Sequence, residues 1–243
     1  MSRTIARLAL GALLLLPLGA GAQDDFTSTF RLQDCRFLTR GVNPHFILEP
    51  ERQLVYEDEE EGEALVITVL EQTRRITLPI GGKMRTVRTA IVEEREFDED
   101  GEIKEISRNF FAICEKTNDV FYFGEDVDIF EDDGSVSHDG AWLAGRNGAK
   151  PGIIMPGTFL LGSRYAQEVA PGVAQDQAEH TAEGLDVETE AGDFHGCVEV
   201  TESSPLDAGE STKLYCPGVG LVADNDLLLV EIGEDEDDDE DDD

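Results

Sequence analysis

Between residues 125 and 142 the chain gathers the side chains best suited to chemistry. Glu125, Asp126, Asp128, Glu131, Asp132, Asp133 and Asp139 are carboxylates, His138 is a base, and Trp142 is the single tryptophan. Carboxylate oxygens are the ligands that calcium and other hard cations take. Asp126 and Asp128 are two apart and share one face of a strand. Asp132 and Asp133 stand in a turn whose backbone carbonyls add further oxygens. A calcium site on Glu125, Asp126, Asp128, Asp132, Asp133 and Asp139 is therefore one expectation. The spacing departs from the EF-hand loop, because Phe130 stands where an oxygen ligand belongs. Asp133-Gly134 is also explained by turn chemistry alone.

Acid–base chemistry has thinner support. His138 and Asp139 are adjacent, and neighbours on a strand point to opposite faces. His45, His180 and His195 are scattered and read as structural or exposed. The chain holds no Gly-x-Ser-x-Gly, no His-Glu-x-x-His and no phosphate-cradling glycine loop. A non-enzymatic binding protein is the leading reading, and no catalytic residue is assigned. A hydrolase-type histidine–carboxylate site is the third alternative.

The second alternative is a carrier of a small apolar ligand. Residues 143–163 are rich in glycine and proline around Ile153-Ile154-Met155. A long loop of this kind is functional or mobile. Lys150 is a rare cation here, one of five lysines. With Trp142, Met155 and Tyr165 it would form a binding lip. Trp142 and Ile153-Ile154-Met155 serve equally well as caps on a core.

The elements that must position these residues are strands. Leu65 to Leu70, Arg74 to Ile80 and Met84 to Phe97 are β-formers, with a hairpin turn at Gly81-Gly82-Lys83. Turn residues recur at Asp98–Gly101, Thr117–Asp119 and Asp132–Gly134. A second set covers 163–169, 175–182, 185–190, 194–202, 212–216 and 220–232. No helix is expected after the leader. The fold class is mainly β: one domain of antiparallel meander strands in a curved sheet or open barrel.

Four cysteines in an exported chain imply two disulfides with three possible pairings. A hairpin turning near Pro205–Gly209 sets Cys197 opposite Cys216, which leaves Cys35 for Cys114. Free thiols and a Cys/His metal site are the alternatives, though zinc-type spacing is missing.

Composition narrows the partners. The 243 residues carry 54 acidic and 19 basic side chains, a formal net charge of −35. Nucleic acid and anionic membranes repel such a chain. Hydrophobic residues make up 40%, enough for a core and too many for wholesale disorder. Residues 1–22 read as a secretory signal: Arg3 and Arg7, an apolar run, then Ala20-Gly21-Ala22 as the cleavage site. That run is too short to span a bilayer, and no later stretch is long and apolar enough. The β-rich domain then occupies 23–232, and the protein is expected in the periplasm or outside the cell. Residues 233–243 are expected to be a disordered acidic tail, read as a weak cation binder or a solubilising segment.

Four stretches carry a resemblance: Val120–Val127, Gly148–Pro156, Ala191–Phe194 before Cys197, and Pro217–Val222. Together they resemble a family of exported bacterial β-proteins without an assigned activity. The match runs from about Asn43 to the last strand. The open, curved sheets implied are similar to those of lipoprotein carriers of the cell envelope. The resemblance implies fold and location, not an activity.

Overall fold

The computed structural model describes residues 26–234. The expected signal segment and residues 235–243 of the expected tail lie outside the described residues. No α-helix occurs among the described residues, and one short 3-10 turn spans Leu32–Asp34. No described helix is long and apolar enough to cross a membrane.

The strands are β1 (Phe37–Leu38), β2 (Gly41–Asn43), β3 (Phe46–Leu48), β4 (Arg52–Glu57), β5 (Ala64–Ile80) and β6 (Lys83–Phe97). Next come β7 (Ile103–Cys114), β8 (Val120–Phe130), β9 (Val136–Ser137), β10 (Trp142–Leu143), β11 (Lys150–Met155) and β12 (Arg164–Ala166). The last are β13 (Glu168–Val169), β14 (Gln177–Thr189), β15 (Gly192–Ser203), β16 (Glu210–Cys216), β17 (Gly220–Asp224) and β18 (Leu227–Glu234). Sixteen of them form one antiparallel sheet, while β2 and β3 pair only with each other.

Two meanders build the sheet, β4 to β8 and β14 to β18, joined where β18 pairs with β4. The far edges are β14 and β11, and one stretch of chain bridges them. Its first part, β12, pairs with β14, and its second, β13, pairs with β11. The sheet is therefore nearly closed into a single-domain barrel, which leaves few unpaired edges. Gly152 sits at this seam. A Cβ there would collide with the carbonyl oxygens of Ala166 and Gln167.

The pattern of burial follows from what covers each face. In β5 and β6, Ile76, Leu78, Ile80 and Val87 share one face and alternate with exposed neighbours, as expected for a half-wet sheet. In β7 and β8 the runs Phe110–Cys114 and Val120–Phe123 are buried on both faces. The N-terminal segment covers their outside: Phe30 and Phe37 pack edge-on against Phe121, and Phe37 also against Phe123. The Cys35–Cys114 disulfide pins that segment down. Cys197–Cys216 crosses from β15 to β16 one position beyond the Val198–Tyr215 pair.

Three local expectations need correction. Lys150–Met155 belongs to a strand, because Gly152 and Ile153 pair with Tyr122 and Phe121. Here Pro151-Gly152 marks a close backbone approach, not a loop. Residues 177–189 are one strand, bulged around Gly184 at φ 72°, not two. Residues 220–232 are two strands, split at Asn225, whose φ of 52° and side-chain bond to the Thr212 amide make the turn.

Candidate functional site

The barrel interior holds a cavity of about 90 Å³ between β3, β4, β5, β6, β7, β11, β16, β17 and the turn before β17. Val69, Val92, Phe111 and Ile154 give it an apolar wall. Tyr56, Glu94, Lys213, Tyr215 and Arg52 contribute polar groups to the same wall. An apolar pocket with a few converging polar groups is the usual form of a ligand site.

The β2–β3 hairpin contributes Phe46 and Ile47 to the wall of this cavity, with Phe46 edge-on to Phe111. Asn43 is fully buried and anchors the hairpin. Its Nδ2 donates to the Asn118 and Pro156 carbonyls at 2.9 Å each, and its Oδ1 accepts from the His45 amide. On the other side, the Gly218 amide donates to the Pro44 carbonyl.

The charged groups of the cavity differ in how they are satisfied. Lys213 Nζ lies 3.1 Å from Glu202 and 3.2 Å from Asp224. Burial pulls its pKa down, but Glu202, Tyr215, Asp224 and Glu94 outweigh burial and hold it well above the ordinary lysine value. Burial lifts Glu94 to about 7, against the pull of Lys213. Arg52 has no ion pair among the described residues. One guanidinium nitrogen donates to the Val219 carbonyl at 2.8 Å. Its Nε is buried without an acceptor among the described residues. A buried donor left unpaired costs about 1–3 kcal/mol.

A second set of buried acids lines the barrel seam. Glu168 on β13 is 2% exposed and accepts a hydrogen bond from the Asp176 amide. Burial, reinforced by the Asp176 carboxylate, raises its pKa to about 9. Beside it Gln167 donates to Glu202 at 2.5 Å. Glu125 on β8 is raised to about 7 by burial, although the Tyr122 hydroxyl opposes that rise.

The residues expected to form a calcium site are dispersed. Asp126 lies 3.9 Å from Arg74, and Asp128 is held by Arg108 and His138. Asp132 is 99% exposed, with Lys104 at 3.6 Å. Asp133 caps its own turn through the Ser135 amide, and Asp139 is exposed. No group of three or more His, Cys, Asp or Glu is placed to hold a metal ion among the described residues.

The expected lip is not assembled either. Trp142, Met155 and Tyr165 are buried in the core, and Lys150 is exposed on β11. Core capping, the other reading of Trp142 and Met155, is what the geometry gives. Tyr165 donates or accepts a 2.9 Å bond with His180, which is buried and stacked on Phe159. Burial lowers the His180 pKa to about 4. The carboxylate partner of His138 is Asp128, not Asp139, and His195 pairs with Asp186 on the exposed surface.

The cavity residues Arg52, Tyr56, Glu94, Lys213 and Tyr215 escaped the sequence reading. Their signal was parity. Glu94 follows Val92 at the inward position of β6, and Lys213 precedes Tyr215 at the inward position of β16. A charge at an inward position is the feature to look for.

No protein-family model matches the chain, so the motif resemblance is not supported from that side. No curated protein matches it either. Among solved structures it is similar to a crystal structure of a putative lipoprotein from Parabacteroides distasonis. The two are 14% identical with a TM-score of 0.34, over 83% of this chain and 100% of the other. A likeness of that degree carries nothing over to this chain. Independently, all four described cysteines are paired, which fits an extracytoplasmic protein.

Proposed function

We propose that this is a carrier-type binding protein whose barrel takes a small amphipathic anion. The alkyl end of the ligand fills the cavity, and its carboxylate meets Arg52. The observation that carries this reading is Arg52, whose Nε is buried without an acceptor among the described residues, in the lining of a cavity with an apolar wall. A carboxylate that reaches the Arg52 guanidinium forms a charge-assisted hydrogen bond of about 1.5–3 kcal/mol.

The volume sets the ligand size. At about 90 Å³ the cavity is smaller than the ~150 Å³ that admits benzene. It suits a short alkyl end, not a whole lipid chain. Each methylene buried adds about 0.8 kcal/mol, or about fourfold in affinity.

The test is calorimetric titration with straight-chain carboxylates from acetate to octanoate. Affinity should rise about fourfold per methylene while the alkyl end still fits, and level off before octanoate once the cavity is full. Arg52→Gln should weaken the best ligand tenfold or more. A steady gain through octanoate would point to surface adsorption, and unchanged binding by Arg52→Gln would remove the assigned anion contact.

A further inference from the structure

The β5–β6 hairpin collects cations where no acid offsets them. From Gln72 to Val92 there is no aspartate or glutamate, yet Arg74, Arg75, Lys83, Arg85 and Arg88 fall in that interval. All five are exposed. Arg74 stands 3.9 Å from Asp126 and over the Phe110 ring. Arg75, Lys83, Arg85 and Arg88 have no ion pair among the described residues. Arg75 and Arg88 are direct cross-strand partners and share one face of the hairpin, whereas Arg74, Lys83 and Arg85 alternate to the other face. Like charges so placed weaken a hairpin. The buried row Ile76, Leu78 and Val87, on the opposite face, fixes its course instead. In a chain with 54 acids, two exposed arginines side by side and without an ion pair among the described residues offer a place to an anion.

We propose that the face carrying Arg75 and Arg88 receives the acidic C-terminal segment 235–243 of the same chain. Every residue of that segment is aspartate or glutamate. Its starting point and heading favour the contact. Glu234 on β18 is level with Arg52 on β4, and Gln53 on β4 is level with Thr68 on β5. Glu234 therefore lies two strands from Val69. Both β18 and β5 run antiparallel to β4, so the chain leaving Glu234 points the way β5 runs toward Arg75. Two strand spacings sideways and six residues onward amount to about 22 Å. Nine extended residues reach about 30 Å. At physiological salt the screening length is about 8 Å, so the segment responds to the adjacent arginines more than to the chain's net charge.

The test is fluorescence anisotropy of a labelled peptide with the sequence of residues 234–243, at 0.15 M salt. It is titrated with the full chain and with a chain ending at Glu234, which keeps every described residue. The shortened chain should bind the peptide, and the full chain at least tenfold more weakly, because its own segment competes at high effective concentration. Arg75→Gln/Arg88→Gln in the shortened chain should lose binding at least tenfold, and Arg75→Lys/Arg88→Lys should retain it. Both pairs are exposed, so melting curves should stay within a few degrees of the parent. Equal peptide binding by the full and shortened chains would overturn the proposal. So would no binding by the shortened chain, or binding unaffected by the Gln pair. Concentration-dependent dimers of the full chain, lost with the Gln pair, would also overturn it in favour of a second copy.

Discussion

Glu168 makes the protonation of the barrel interior measurable. It is 2% exposed, and burial holds its pKa at about 9. The same carboxyl in the unfolded chain titrates at 4.5. Above that value the unfolded state has released a proton that the folded state keeps. Folding is therefore weakened as pH rises, by about 1.4 kcal/mol per unit, until the folded carboxyl ionises near 9. From pH 5 to pH 8 the loss is about 4 kcal/mol. Glu168→Gln abolishes the titration and keeps an oxygen for the Asp176 amide. In a domain of this size 1 kcal/mol moves Tm by about 2–4 °C. The variant should therefore gain about 8–16 °C on the parent as pH goes from 5 to 8. Circular-dichroism melts with disulfides intact measure this. General repulsion among the many carboxylates acts on both proteins and cancels in the difference. An offset between the two that stays constant within about 3 °C, under 2 kcal/mol, would show that folded Glu168 is ionised throughout.

Two further predictions concern closure of the barrel and its covalent ties. Gly152→Ala forces β11 away from the Ala166 and Gln167 carbonyls, and overpacking typically costs about 1–3 kcal/mol. Hydrogen exchange should accelerate at β11 and residues 164–169 before the β5–β6 hairpin, and uniform acceleration would place the strain elsewhere. Replacing Cys35 and Cys114 by serine removes a tie between residues 79 apart, worth about 4.5 kcal/mol on the chain-entropy argument. Replacing Cys197 and Cys216, 19 apart, should cost about 3 kcal/mol. Urea unfolding gives both values, and the reverse order would mean that native-state contacts, not loop closure, set them.

Much of the fold was legible because alternation and turn chemistry are local. Gly81-Gly82 carries φ of 59° and 77° between Ile80 and Lys83, the geometry a two-residue hairpin demands. The Cys197–Cys216 tie followed from hairpin register. Closure was not legible, because it rests on one stretch, 164–169, that pairs with strands on opposite edges of the sheet. Nothing in Arg164–Val169 distinguishes a bridging segment from an ordinary strand. The site was missed for a related reason. Carboxylates close in sequence, from Glu125 to Asp139, drew attention, yet a strand sends its neighbours to opposite faces and a turn sends them into solvent. The groups that do converge, Arg52, Glu94 and Lys213, come from β4, β6 and β16. A closed sheet brings distant positions together only when each is inward on its own strand. In such a fold the informative residue is therefore the charge that interrupts an inward apolar row. By that criterion Glu94 after Val92 and Lys213 before Tyr215 point to the interior more directly than the whole acidic stretch 125–139.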